Sequence, residues 1–315
     1  HMRAYRYHAV GGASTPRVED VPVPVPAAGE VLVRVRCASL NPVDWKIAAG
    51  KFRFLVKGGL PRTMGSDFAG EIAAVGPGAE GWHPGDRVMG FIDPFARTAG
   101  TFAEYLPVPA GFVMRRPPPI DDELGAALPC VGITAVALCN LAQVGPGSSV
   151  LVNGASGGVG HLAVQVAKAR GALVAATASA ARREFVTALG ADEFIDYRER
   201  PLSDWPMAFD AVLDCVPNLP RRCHRRLLKR GHYASTLPDG WTYTLDPLLN
   251  RVGPLRRHAV MLQPDERALE ELLAGVAAGT VRCEIAGVFP LEEAARAIEQ
   301  SRAGHVAGKL VIRVA

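Results

Sequence analysis

Apolar and polar positions follow two different periods along this chain, and the change falls near residue 120. Before it, Val31-Leu-Val-Arg-Val-Arg36 alternates at every second residue, and 68–75 and 87–91 are further short apolar runs. A period of two buries one face of an extended strand and leaves the other wet. Pro26-Ala-Ala-Gly29, Gly76-Pro-Gly78 and His83-Pro-Gly85-Asp86 separate these runs with residues suited to turns. Pro22, Pro24 and Pro26 cannot donate to a ladder and predict an extended, edge-like lead-in.

From about residue 121 the spacing becomes helical over 121–128 and 132–141, and a strand is expected at 149–153. Strand and helix then alternate, with apolar runs at 172–177, 209–214 and 233–235 that suit buried parallel strands, and 257–262 as the last of the series. Residues 265–278 read as an amphipathic helix, and 281–288, 291–300 and 309–314 as strand, helix and strand. The final strand needs a partner sheet, so the tail is expected to rejoin the N-terminal region. The pattern therefore predicts an α/β chain of two domains. One is β-rich (1–119, rejoined by 264–315), and the other is a doubly wound parallel sheet (120–263).

One segment carries more chemistry than any other: Val150-Leu-Val-Asn-Gly154-Ala-Ser156-Gly157-Gly158-Val159-Gly160, followed by an alternating apolar and polar helix. Strand, glycine turn and helix in that order form the context of a Rossmann dinucleotide site. Gly157 lets backbone approach a pyrophosphate, Gly160 lets helix pack on strand, and the helix N-terminus offers N–H groups to the anion. Ala155 stands where the first glycine of the usual pattern would be, so the literal motif is AxGxxG. The next strand ends on Thr177 and continues Ala178-Ser179-Ala-Ala-Arg182-Arg183, with no acid to bind a ribose 2′-OH or repel a 2′-phosphate. Thr177, Ser179, Arg182 and Arg183 are candidate 2′-phosphate contacts, guanidinium being suited to bidentate phosphate binding. The alternative for Arg182 and Arg183 is simple solvation of a helix start. NADPH is the expected cofactor.

Composition narrows the class. With 49% hydrophobic and 21% charged residues the chain can bury a core, and a net charge of +4 is too small to argue for nucleic acid. The basic run from Arg221 to Arg230 reads as one solvated helix face. Six scattered cysteines show neither zinc spacing nor CxxC and suit a reducing, cytoplasmic protein. No signal peptide and no membrane-spanning stretch is expected, and His1 ahead of Met2 reads as a cloning remnant.

The order of motifs resembles a known family over nearly the whole chain. They are Ala38-Ser-Leu-Asn41-Pro-Val-Asp44, Gly65-Ser66-Asp67-Phe-Ala-Gly70, Gly85-Asp-Arg-Val88, Gly100-Thr-Phe-Ala-Glu-Tyr105 and Gly132-Ile-Thr134-Ala135. The glycine cluster, Leu189-Gly-Ala-Asp-Glu193 and Gly304-His305-Val-Ala-Gly-Lys309 follow. Together they resemble the medium-chain dehydrogenase/reductase superfamily. Within it they are similar to the zinc-free, NADPH-dependent quinone oxidoreductases (zeta-crystallin-like) and their enoyl-thioester reductase relatives. The resemblance implies a GroES-like catalytic domain beside the Rossmann domain, and a homodimer. It implies Asn41 and Asp44 as the catalytic pair beside the nicotinamide, and Thr134, Tyr197 and Lys309 as further cofactor contacts. Alternatives stay open: a local cap for Asp44, a helix-face hydroxyl for Thr134, a solvated strand start for Lys309.

Zinc-dependent members place a Cys near Asn41 and a His-Glu pair at Ser66-Asp67, and four closely spaced cysteines after the Gly-Asp-Arg-Val turn. The residues here do not make either set, so no metal is expected. What remains is direct hydride transfer to an acceptor that is already electrophilic, a quinone or an enone. Trp45, Phe52 and Phe91 offer a flat apolar pocket wall, with ordinary core packing as the alternative for each. Many relatives carry Tyr where this chain has Phe52, and a phenyl ring cannot give a proton. That favours a quinone, whose reduced form collects protons from solvent, over an enone or enoyl thioester. A non-catalytic NADPH-binding sensor is the rival of another class.

Overall fold

A computed structural model describes residues 1–12, 15–201, 204–205, 209–228, 230–239, 241–242, 244–304 and 306–315. His305 of the C-terminal motif and Lys229 of the basic run lie outside the described residues. The chain divides into two compact units, residues 1–130 with 285–315 and residues 131–284. In chain order the strands and helices begin with β1 (Met2–Tyr7), β2 (Arg17–Val21), β3 (Glu30–Leu40), α1 (Pro42–Ala48), β4 (Arg62–Thr63) and β5 (Asp67–Val75). Next come β6 (Arg87–Phe91), β7 (Tyr105–Pro109), β8 (Val113–Arg115), α2 (Asp122–Ala127) and α3 (Pro129–Leu141). The middle of the chain forms β9 (Ser149–Asn153), α4 (Gly158–Ala169), β10 (Leu173–Ala178), α5 (Arg183–Ala188), β11 (Glu193–Asp196), β12 (Ala211–Asp214) and α6 (Arg221–Leu227). It ends with β13 (Gly231–Ser235), α7 (Asp246–Val252), β14 (Leu255–Ala259), α8 (Glu266–Ala277), β15 (Ile285–Pro290), α9 (Ala294–Ala303) and β16 (Lys309–Arg313).

The first unit is built on β3, the longest strand, which pairs antiparallel with β5, β7 and β16. The path of its large sheet runs β15-β16-β3-β5-β6-β8, and β2-β1-β4 make a smaller sheet. Val31, Val33 and Val35 of β3 are fully buried with Phe68, Phe102 and Ile312 in one core. The tail does rejoin this unit: Leu310 of β16 faces Leu40, and Ile312 faces Ala38. The prolines at 22, 24 and 26 follow β2, an edge strand, and none lies in a ladder.

The second unit is a parallel sheet in the order β11-β10-β9-β12-β13-β14. That is the doubly wound order in which the chain reverses direction between β9 and β12, and ligands bind beyond the carboxyl ends at such a point. Two expected boundaries move. Residues 120–130 group with the first unit because α2 packs on β3 and β5. Residues 264–284 group with the second: Leu272 of α8 lies where a Cβ on Gly132 would meet it, and Glu271 pairs at 2.9 Å with Arg170, which caps the C-terminus of α4. Two expected strands also shift. The one drawn at 257–262 is β14, set by pairing of Leu255 with Gly231. Residues 281–284 are held to α4 instead of starting a strand, by Arg282 N–H to Gln165 Oε1 (2.8 Å) and Glu284 N–H to His161 Nε2 (3.1 Å). Among the described residues, no helix is long and apolar enough to cross a membrane.

Candidate active site

In the second unit the chain leaves β9 and turns at once. Gly154 sits at φ +79°, the left-handed region that favours glycine, so it takes the tight turn one residue before Ala155. A Cβ on Gly160 would lie 2.1 Å from the Gly154 carbonyl oxygen, which explains the last glycine as close packing of α4 on the turn. Gly157 differs. A Cβ there would meet protein only at 3.5 Å, so nothing inside the protein demands glycine, and the room it leaves lies at the start of α4. The first-turn N–H groups of that helix, at Gly158, Val159 and Gly160, have no acceptor within the helix. Together with Ser156 and Gly157 they form a cradle suited to a pyrophosphate.

Thr177 corrects its sequence reading. It ends β10 as expected, but its hydroxyl is buried and committed inside the protein. Oγ1 accepts the Gly154 N–H (3.0 Å) and donates to Asn153 Oδ1 (2.8 Å). Asn153 in turn donates to Asp214 Oδ1 (2.8 Å) and Asn218 Oδ1 (2.9 Å), and the Tyr233 hydroxyl donates to Asp214 Oδ2 (2.6 Å). The network ties together the ends of β9, β10, β12 and β13. Burial holds the Asp214 carboxyl above its usual range despite those donors. Asn153 and Asp214 were missed from sequence. Both end apolar strands at the carboxyl edge, which was the available signal.

Parallel register sets Ala178 beside Asp196, so Ser179 and Tyr197 emerge from neighbouring strand ends. Tyr197 is half exposed and carries the Arg198 guanidinium 5.7 Å from its ring centre. Arg182 stands at the end of a single turn of 3-10 helix, partly buried. Arg183 lays its guanidinium over the Phe194 ring at 4.4 Å. Asp196 is buried and accepts the Arg198 N–H at 2.9 Å. Thr134 is buried on α3.

The first unit holds a second cluster, in which Ser39, Asn41, Asp44, Ser66, Asp67 and Lys309 are all buried. Asn41 precedes α1. Its backbone N–H goes to Asp44 Oδ2 (2.7 Å), the local cap weighed from sequence. The Asn41 amide donates to Asp67 Oδ2 (2.7 Å) and Ser66 Oγ (3.2 Å), and its Oδ1 accepts Lys309 Nζ (2.6 Å). Ser66 donates to Asp44 Oδ1 (2.9 Å), and Asp67 also takes Ser39 Oγ and Cys130 N–H, each at 3.0 Å. Burial pushes Asp44 up to about 7 against its hydrogen bonds, and lifts Asp67 against the pull of Lys309 and Asn41.

The three aromatic candidates part company. Phe91 is a core residue, edge-on to Phe112 at 5.7 Å. Trp45 donates its indole N–H to Ser301 on α9 (3.0 Å) and packs on the core. The burial of Phe91 follows from its strand face, which a single position does not reveal, whereas Trp45 is only partly buried. Phe52 adopts φ +63°, a conformation costly for a non-glycine residue, and meets Phe95 edge-on at 5.9 Å.

Residues 27–118 match the family described as alcohol dehydrogenase GroES-like domain, and 189–312 match zinc-binding dehydrogenase. The chloroplast envelope quinone oxidoreductase homolog of Arabidopsis thaliana is 34% identical over 326 residues, 99% of this chain and 98% of that protein. An NADPH-dependent alkenal/one oxidoreductase of the same plant is 32% identical over 320 residues, covering 99% of this chain and 79% of the relative. The solved quinone oxidoreductase from Coxiella burnetii superposes with TM-score 0.89 at 31% identity over 100% of this chain and 99% of that one. The zinc in one family description does not fit the residues present. An amide, a hydroxyl and a carboxylate stand at the positions in question, and the Lys309 ammonium already lies 2.6 Å from that amide and 3.5 Å from that carboxylate. Sequence matches over both units, full-length relatives and the shared fold agree: the chain belongs to the medium-chain dehydrogenase/reductase superfamily, in its quinone oxidoreductase branch.

Proposed function

We propose that this protein is an NADPH-dependent reductase of quinones, working without zinc or flavin. The observation that carries the cofactor choice is the glycine turn opening α4 while β10 ends on Thr177-Ala178 and the chain continues Ser179-Ala-Ala-Arg182-Arg183, a run that contains no carboxylate. Bound NADPH would supply the hydride. The chain's own part is to hold and orient. Ser156 to Gly160 receive the pyrophosphate, and Ser179, Arg182 and Tyr197 take the 2′-phosphate. Arg198, stacked on Tyr197, adds a guanidinium to that group. Thr177 and Asn153 brace the turn from beneath. By family likeness Asn41, Asp44, Thr134 and Lys309 belong to the nicotinamide end. The polar atoms of Asn41 and Asp44 are tied to each other and to Ser66, Asp67 and Lys309, so we read this pair as positioning groups. A homodimer is part of the same reading by family likeness, and a reducing cytoplasm suits the six scattered cysteines.

Enone reduction is the second reading, favoured by the alkenal/one relative and disfavoured by Phe52. NADPH oxidation should be followed with 9,10-phenanthrenequinone, 1,4-benzoquinone and a crotonyl thioester. Turnover of the quinones alone fits the proposal. Faster turnover of the thioester would transfer it to the second reading, and tight NADPH binding without turnover would favour a sensor.

Two substitutions separate reading the phosphate from bracing the turn. Arg182→Ala should weaken NADPH by about tenfold or more and leave NADH unchanged, as expected for one charge-assisted hydrogen bond. Thr177→Val strands the Gly154 N–H and Asn153 Oδ1, a loss of about 1–3 kcal/mol, and should weaken both dinucleotides by the same factor. Fluorescence titration with each dinucleotide checks both. Equal losses in the Arg182 variant, or a loss confined to NADPH in the Thr177 variant, would reverse the assignment.

A further inference from the structure

An asparagine side chain has two ends of nearly the same shape, and only its partners decide which way it points. At Asn41 the partners carry opposite charge. Lys309 Nζ lies 2.6 Å from Oδ1, while Asp67 Oδ2 lies 2.7 Å from Nδ2. Turning the amide over would press NH2 against ammonium and carbonyl against carboxylate. Water cannot relieve either clash, because Lys309, Asn41 and Asp67 are 3%, 5% and 0% exposed. The remaining neighbours are accounted for from every side. Lys309 also donates to the Leu40 carbonyl (3.2 Å) on β3. Asp67 is further held by Ser39 of β3 and by Cys130 at the start of α3. Asp44 of α1 faces the group through Ser66. One ammonium therefore stands among two carboxyl groups.

We propose that Lys309 is a positioning residue: with Asp67 it clamps the Asn41 amide in a single orientation. This rests on the reading that Asn41 belongs to the nicotinamide end of the site. The clamp sets the geometry of the reacting groups without itself binding the dinucleotide. It depends on long-range pairing, because β16 delivers Lys309 to the end of β3.

The test uses Lys309→Met, Asn41→Leu and the double variant, each in the full-length protein. Lys309→Met should lower kcat by about ten- to a hundredfold, the range expected of a small misplacement, with the Kd for NADPH within about twofold of the parent. If Lys309 acts through Asn41, the double variant should be no slower than Asn41→Leu. A second readout needs no turnover. In the apo-protein, Lys309→Met leaves Asp67 without its cation, so its urea midpoint should fall below the parent's by more at about pH 8 than at about pH 5. Unchanged kcat, additive losses, a weakened NADPH Kd with kcat intact, a deficit independent of pH, or failure to fold at both pH values would each overturn the clamp. If the parent reduces no acceptor, the proposed function falls, and the apo-protein comparison still decides whether Lys309 acts by its charge.

Discussion

Asp44→Asn is expected to make the protein more resistant to urea than its parent at about pH 8 and no better at about pH 4.5. Asp44 is buried, accepts from Asn41 N–H and Ser66 Oγ, and titrates near 7 where an exposed aspartate titrates near about 4. Its folded pKa is raised, so the folded state holds the proton more tightly than the unfolded chain. That contribution is fully present below about pH 4, where both states are protonated. It is lost as pH rises through about 7, where the folded protein must ionise a buried carboxyl. The span corresponds to roughly 4 kcal/mol between the two ends. Asparagine keeps an acceptor for the Asn41 N–H and never ionises. The groups facing Asp44 limit the effect without changing its sign: Asp67 adds to it, Lys309 opposes it, and Tyr7 on β1 is a phenol held above its usual range by burial. Urea midpoints of both proteins across this pH range check the expectation. A difference between them that does not vary with pH would remove Asp44 as the titrating group.

How far the site could be read from sequence depended on whether the deciding contact was local. The glycine turn and α4 were legible because strand, turn and helix follow one another, and each glycine acts within a few residues of itself. Even there the left-handed residue proved to be Gly154, which the motif does not contain. Thr177 was found at the right place with the wrong direction. A strand end exposes either face, and Asn153 on the neighbouring strand draws the hydroxyl inward. Arg182 and Arg183 are adjacent in sequence, yet only the structure shows that one of them lies over the ring of Phe194 on β11.

The cluster in the first unit lay further out of reach. Its members come from β3, α1, β5 and β16, and Lys309 and Asn41 meet only because β16 runs antiparallel beside β3. Sequence could name both residues through family motifs, but not that one would hold the other. The bounds of the strand expected at 257–262 shifted for a related reason. Apolar content extends through Met261 and Leu262, whereas the ladder is set by pairing of β14 with β13 and stops at Ala259. Hydrophobic pattern locates such a strand, and its partner decides the ends.

Replacing the two motif glycines by alanine should separate folding from dinucleotide binding. At Gly160 an added methyl meets the Gly154 carbonyl at 2.1 Å, and backbone, unlike a side-chain tip, cannot step aside. The expected loss is about 1–3 kcal/mol from overpacking, set against a gain of roughly 0.5–1 kcal/mol from alanine's helix preference. Gly160→Ala should therefore lower the urea midpoint, and binding should weaken as a consequence. At Gly157 the backbone is extended, with φ −77° and ψ 177°, and the nearest atom to a new methyl is 3.5 Å away. Gly157→Ala should fold with the parent's stability to within about 1 kcal/mol, since only a helix N-cap preference changes. Its methyl would project from the start of α4 into the room a pyrophosphate needs, so NADPH and NADH should both bind at least about tenfold more weakly. The informative result is the crossing of the two readouts, one variant failing in stability and the other in affinity. Parental NADPH affinity in Gly157→Ala would mean that the cradle at the start of α4 is not where the dinucleotide lies, and the cofactor site would have to be sought elsewhere in the second unit.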